Sequence, residues 1–383
     1  MMRCAQGLLG ACLLGGCSLR SSFIHSDNQA RVAVHGMSLG VSGPYEHENL
    51  ALYLVHAANS DPGRAFKTLE AALNEKLAVV YETGDVNELS IENLSDHDVF
   101  LQSGDVLRGG KQDRAIAMDF VAHARSGRMP ISAFCVERGR WRSRLSDISG
   151  DGVFATANSI GLNNVMRSAL NSGDQSMVWE NVEADQARLN NAAGVELRDP
   201  ESPTSLQLTY ENDALTTHVN AVVDELEHRM RRAEEATGLI VAINGKLYSA
   251  DVYSSRHLFA GMRRKLVAGA ATDAWVKRQG ADAAAPAPSR DVVVRFLNPP
   301  AGMEERGEHE SSPGIVTRTR RLGDLTVCET YDRRAQGAFI HASYIICPVD
   351  APILQEHPDG AFQHGGSFNL NPIPPSQSEQ VVD

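Results

Sequence analysis

The sequence predicts an α+β fold: a largely antiparallel β-sheet region with a helical middle segment and a closing C-terminal β-hairpin. Three observations carry this. Short β-branched or alternating runs recur through the first half of the chain, separated by Gly, Asn, Asp and Ser. Leu215, Val219, Val222, Val223, Leu226 and Met230 fall on one face of a helix. Asn244-Gly245, the two-residue turn that best specifies a hairpin, separates two β-compatible runs.

In chain order, the amino terminus comes first. MMRCAQGLLGACLLGGC places Arg3 before about 13 mostly apolar or small residues, too few for the roughly 20 that span a bilayer. It reads as a secretory signal. Leu14-Gly15-Gly16-Cys17 resembles a lipobox, and an earlier box, Leu9-Gly10-Ala11-Cys12, also fits but leaves an apolar region of only about eight residues. Residues 1–17 are therefore expected to be a lipoprotein signal peptide, with lipidation at Cys17, and 18–35 a tether. One acyl chain anchors weakly, so a stable anchor implies more than one on that cysteine. The folded domain is expected over 36–347, β-rich at 36–141, loop-rich at 142–180, helical at 181–280 and β at 291–347, with a disordered tail at 348–383.

Within it, strands are expected at 50–56, 77–82, 86–93, 99–102, 114–121 and 130–137, and Thr68 can cap a short helix through Lys76. Residues 143–176 are rich in Ser, Asn and Gly and read as long loop with at most short helical turns. Asp213 can cap the amphipathic helix and Gly238 can end it. After the 239–253 hairpin, Leu258, Phe259, Met262, Leu266 and Val267 supply the apolar stripe of a second helix. Beyond the Ala-Pro run at 281–289, strands are expected at 291–297, 314–320, 325–331 and 338–347.

Composition excludes some functions. With 36 basic against 48 acidic residues and no basic cluster, a nucleic-acid partner is not expected. The 13 histidines contain no H-E-x-x-H and the cysteines no C-x-x-C, so neither a zinc site nor another metal or cofactor is expected. Cleavage before Cys17 leaves Cys135, Cys328 and Cys347 in the domain. Centring the last hairpin between Arg334 and Ala335 sets Cys328 opposite His341 and puts Cys347 about 20 Å away along the strand, beyond disulfide reach. The Cys328 and His341 neighbourhood is then either paired core side chains or a site of chemistry.

Two strings draw attention as a site. Gly104 to Arg114, GDVLRGGKQDR, fails as a nucleotide P-loop: one residue too many precedes Lys111, Gln112 stands where a hydroxyl is needed, and no helix follows. It reads as strand, Gly109-Gly110 turn and strand, with Lys111, Gln112, Asp113 and Arg114 around the turn. In Phe134 to Trp141, FCVERGRW, strand alternation sends Phe134 and Val136 to the core and leaves Cys135 and Glu137 side by side. Glu137 or Asp113 could then serve as a general base, Lys111, Gln112, Arg114 and Arg140 could hold an anion, and Trp141 could stack on a ring. The plainer interpretations are, for the first string, a tight turn with Lys111, Asp113 and Arg114 solvated around it and, for the second, a Glu137 to Arg140 pair beside a core tryptophan. Gly36-Met37-Ser38-Leu39-Gly40 matches a nucleophile elbow in letters only, since Val41-Ser42-Gly43-Pro44 cannot start a helix.

The chain resembles an uncharacterised bacterial family named for its association with ADP-ribosylglycohydrolase and rhodanese-phosphatase genes. The resemblance runs through Leu69-Glu70-Ala71-Ala72-Leu73, Glu82, Val86-Asn87-Glu88-Leu89, Asn93, GGKQDR at 109–114, CVERGRW at 135–141, Gln175, Val178-Trp179, the 238–253 hairpin, Gly314 and Ile340-His341-Ala342. It implies ADP-ribose or related nucleotide metabolism by gene association and supplies no catalytic residue. The expected function is thus a membrane-anchored lipoprotein whose domain binds or processes a small anionic molecule. The alternative is a noncatalytic envelope module for structure or partner contact. Ser18 after the lipidated cysteine favours the outer over the inner membrane.

Overall fold

The computed structural model describes residues 31–58, 65–139, 154–156, 164–230, 233–278, 285–299 and 301–347. The chain opens with an antiparallel meander, β1 (Val32–Val34), β2 (Met37–His47) and β3 (Leu50–Ala57). A run of short elements follows: β4 (Lys67–Thr68), α1 (Leu69–Asn74), β5 (Ala78–Glu82), β6 (Glu88–Asn93), β7 (Val99–Leu101), β8 (Val106–Gly109), β9 (Arg114–Ile116), β10 (Phe120–Ala122), β11 (Met129–Cys135) and β12 (Phe154–Thr156). Helices α2 (Asn164–Ser172), α3 (Gln175–Ala193), α4 (Leu206–Tyr210) and α5 (Asp213–Arg229) precede the hairpin β13 (Gly238–Ile243) and β14 (Lys246–Tyr253). The chain closes with α6 (Arg256–Lys277), α7 (Arg290–Leu297), β15 (Glu304–Ser312), β16 (Ile315–Leu322), β17 (Leu325–Asp332) and β18 (Ala338–Ile346). The fold is α+β, with largely antiparallel sheets.

Among the described residues the main sheet has nine strands, in the order β1-β2-β3-β13-β14-β18-β17-β16-β15. The Asn244-Gly245 hairpin, with both turn residues at positive φ, stitches the opening meander to the closing strands. Gly238 sits where a Cβ would lie 2.5 Å from the Asp251 carbonyl oxygen, so only glycine lets β14 approach. One face of the sheet packs Leu50, Leu52, Leu54, Leu239 and Val241 against α2, α3, α5 and α6. The other packs Met37, Leu39, Tyr53, Ile240 and Val252 under α7. Each fully buried apolar side chain contributes about 1.5–3 kcal/mol, so the middle of the sheet is the main store of stability. A six-stranded sheet, β12-β8-β9-β11-β6-β5, and a small one, β10-β7-β4, share a further core around Leu89, Ile91 and Leu101.

Thr68 caps α1 through a 3.2 Å bond from the Ala71 amide, as its position predicts. Other expectations need correction. Asn212 rather than Asp213 caps α5, which ends at Arg229 and leaves Gly238 to begin a strand. The run at 291–297 is helical: its valines favour a strand, but Val293, Val294, Phe296 and Leu297 bury one helical face against the sheet, and tertiary packing wins. The span 114–121 breaks into β9 and β10, because the chain leaves the sheet so that Asp119 can bond the Ser103 amide and His341. The 142–180 span contains α2 and the start of α3 rather than only short turns, and residues 140–153 and 157–163 lie outside the described residues. Polar β15 gives no apolar signal, since it is an edge strand with an exposed face. In the last hairpin Cys328 faces Ser343 and Thr330 faces His341. The loop is longer than a two-residue turn, with Arg333–Ala335 a 3-10 turn and Gln336 left-handed, and a bulge at Thr330/Tyr331 slides the register further. Cys135, Cys328 and Cys347 are all free thiols.

Candidate functional site

The two strings singled out in the sequence meet at the end of the six-stranded sheet. Arg114 on β9 lies opposite Cys135 on β11. Gly109 and Gly110 turn with positive φ, and a Cβ on Gly110 would come within 2.4 Å of Glu82 Oε1. This close turn aims the following residues inward. The Gln112 Nε2 amide donates to the Glu137 carbonyl at 3.0 Å, and the Asp113 amide donates to Glu137 Oε2 at 3.1 Å. The Ser202 hydroxyl donates to Glu137 Oε1. Asp113 Oδ1 accepts from the Gly109 amide at 3.2 Å and Oδ2 from the Ser205 hydroxyl at 3.0 Å. Both oxygens of both carboxylates are thus engaged, and Gln112, Asp113, Arg114 and Glu137 are buried while Lys111 is exposed. Phe134 and Val136 enter the main core as the alternation predicts, and Cys135 is equally sealed, with burial pushing its thiol up. Arg140, Trp141 and Cys17 lie outside the described residues.

Arg114 is the exception in this satisfied knot. Its guanidinium is 0 % exposed, and one hydrogen bond, from Nη1 to Gln112 Oε1 at 3.2 Å, holds it. Among the described residues Nε and Nη2 have no hydrogen-bond partner, and the Glu82 carboxylate stands 3.9 Å from Nη2. A buried donor left unpaired costs about 1–3 kcal/mol. On the other side of Cys135, Gln175 at the start of α3 imitates a neighbouring strand: its amide accepts from the Cys135 N–H and donates to the Cys135 carbonyl, both at 2.8 Å. One turn on, the buried Trp179 indole N–H is directed at the Cys135 thiol as a hydrogen-bond donor and pulls against its upward shift.

These strings, Gln175, Trp179 and the β13–β14 hairpin all fall within residues 38–345, which match the family model described as ARG and Rhodanese-Phosphatase-superfamily-associated Protein domain. The chain belongs to this family, ARPP-1. No curated protein and no solved structure shows a significant match to it.

The ARPP-1 domain also holds a second polar centre, which sequence reasoning reached only at His341. Here His341 Nδ1 lies 2.6 Å from Asp119 Oδ2 and Nε2 lies 3.2 Å from Asp251 Oδ1. Burial opposes the imidazolium charge, but the two carboxylates outweigh it and push its pKa up to about 9. Asp251 is opposed by burial too, yet the Arg167 fork, at 2.7 and 3.2 Å, and His341 bring it down to about 2. Tyr253 stacks on the imidazole and donates to Gln102 at 2.5 Å.

Beside this network runs a narrow, partly open cavity of about 40 Å³ between α6 and β14. Asp251, Arg167, Lys265, Asp273 and Tyr248 line it. Lys265 is paired with Asp105, and Tyr248 hydrogen-bonds Asp273. Burial and neighbouring Asp185 raise the Asp273 carboxyl to about 7. A signal for this centre was present in the sequence: Asp251, His341 and Asp273 are ionisable residues set inside apolar strand and helix patterns, where charge is seldom buried unless paired. Among the described residues no group of His, Cys, Asp and Glu could hold a metal ion, and no helix is long and apolar enough to cross a membrane.

Proposed function

We propose that the ARPP-1 domain recognises a small anionic molecule through Arg114, with Gln112 orienting the guanidinium and Lys111 at the entrance. One observation carries the reading: a fully buried cation whose Nε and Nη2 lack hydrogen-bond partners. A planar guanidinium fork suits a carboxylate or phosphate that can bond two nitrogens at once. Glu82, near Nη2 but beyond hydrogen-bond length, would then compete with the anion for the guanidinium. Asp113 and Glu137 serve as struts that hold the two strings together, since their oxygens are already engaged. Arg140 and Trp141, three and four residues after Glu137 in the sequence, join the proposal on that ground. Phosphates of ADP-ribose or related nucleotides are the first class to try, given the family's description.

Thermal unfolding of the purified protein with inorganic phosphate, AMP and ADP-ribose tests this. Saturable stabilisation is expected, growing as RT ln(1 + [L]/Kd), and it should vanish in Arg114→Met. A flat response across the panel would instead support the second reading, a noncatalytic envelope module, which the engaged carboxylates of Asp113 and Glu137 favour. We also propose that Cys17 carries the lipid that anchors the chain at the cell envelope, with Ser18 directing it to the outer membrane; Leu14-Gly15-Gly16-Cys17 supports this.

A further inference from the structure

We propose that the cavity between α6 and β14 is a second site, one that takes a small, uncharged, hydroxyl-bearing molecule between the Asp273–Tyr248 pair and the Arg167–Asp251 pair. Arg114 does not line it, and it does not depend on the anion reading.

The walls are built for occupancy. On α6, Lys265, Gly269 and Asp273 follow one another at four-residue intervals, which sets them on one helical stripe. The stripe is about 12 Å long, with an ionisable group at each end and a glycine between. A glycine inside a helix is unfavourable by about 1 kcal/mol relative to alanine, and here the buried Gly269 forms part of the cavity wall. On the facing strand, Val241 pairs with Ser249 while Ala242 pairs with Leu247, so Tyr248 is the extra residue of a β-bulge. The consequence is visible in the packing: Leu247 joins the core under α7, Tyr248 joins the core on the helical side, and Ser249 lines the cavity next to it. The bulge therefore adds a phenol to the face already bearing Ser249 and Asp251, a re-aiming that such irregularities commonly provide beside sites.

The charge balance selects the ligand. Lys265 is matched by Asp105 and Arg167 by Asp251, and His341 behind them is matched by Asp119. An anionic occupant would find no unpaired cation and would break one of these pairs, while a cation would face Asp273, which burial and Asp185 keep largely protonated up to about pH 7. What the cavity offers an incoming molecule is hydroxyl chemistry: the Ser249 and Tyr248 hydroxyls, carboxylate lone pairs, and Asp273, whose carboxyl holds a proton near neutrality and can both donate and accept. The volume of about 40 Å³ holds roughly three waters, so the buried fragment is of glycerol size, with any remainder leaving through the open side.

Saturation-transfer NMR on the purified full chain, with glycerol and ribose as probes and acetate and inorganic phosphate as charged controls, decides the matter. Saturable transfer to glycerol or ribose is expected, persisting in Arg114→Met and abolished in Gly269→Leu. Tyr248→Phe, which removes one hydroxyl and keeps the ring, should weaken binding roughly three- to tenfold without unfolding the protein. No transfer to either polyol, displacement of the polyol by acetate, or Tyr248→Phe binding as tightly as the wild type would overturn the proposal.

Discussion

Replacing Asp273 by Asn should stabilise the domain, and by an amount that grows with pH. In the folded protein burial and Asp185 raise this carboxyl from 3.8 to about 7, against the Tyr248 hydrogen bond and the more distant Lys277 and Arg188 charges, which pull it down. Below pH 3.8 both states hold the proton and the residue costs nothing. As pH climbs from there, the unfolded chain releases its proton while the folded one keeps it, so stability falls until pH passes about 7 and then levels off. At 1.36 kcal/mol per pKa unit the full penalty is up to about 4 kcal/mol. Asn matches the carboxyl in shape, can still accept from Tyr248, and has no proton to lose. Urea unfolding followed by tryptophan fluorescence, for both proteins at pH 4 and pH 8.5, isolates the effect because all other titrating groups cancel in the difference. The variant should match the wild type at pH 4 and exceed it by about 2–4 kcal/mol at pH 8.5. A difference that is the same at both pH values, or a loss of stability at pH 8.5, would refute the assignment of a raised carboxyl at this position.

Further outcomes follow from the same geometry. His341, raised from 6.5 to about 9, lends stability that is fully present below pH 6.5 and is lost as pH rises through 9; His341→Gln should flatten that alkaline decline in a pH series of melting temperatures. Truncating its partner in Asp119→Ala leaves a buried charge short of a counterion and should cost about 3–5 kcal/mol in urea unfolding. Glu82→Gln removes the carboxylate that competes near Arg114, so phosphate affinity measured by calorimetry should rise severalfold; unchanged affinity would place the anion elsewhere. Cys17→Ser should abolish membrane attachment and the lipid mass at the mature N-terminus, while lipid found on Cys12 would move the anchor to the earlier box.

Local rules made much of the architecture readable in advance. The Asn-Gly turn, the Thr68 cap and the Leu215-to-Met230 stripe depend on neighbours a few residues apart, and each is found where the letters place it. What escaped depends on distant partners. The valines of α7 take helical form only because the sheet face beneath offers them a core. The closing hairpin slid because a loop and a bulge, neither marked by a strong turn dipeptide, each moved the pairing. The strings around Gln112 and Glu137 advertised themselves by composition, whereas the centre at His341 is assembled from residues as far apart as Asp119 and His341, whose proximity no spacing rule announces. Its trace in the sequence was the misfit of charge within apolar patterns.

The extra residue in β14 makes one wall of the cavity a matter of chain length rather than of residue type. Any single substitution at position 248 changes which group faces the cavity but keeps the bulge, whereas deleting that codon restores strict alternation and withdraws the position altogether, leaving Leu247 and Ser249 on their present faces. Substitution scans of this strand will therefore sample the chemistry of the wall without ever removing it. In natural variation the site would be gained or lost in one insertion or deletion event, and a relative lacking that one residue could keep the whole nine-stranded sheet while having a differently shaped interior.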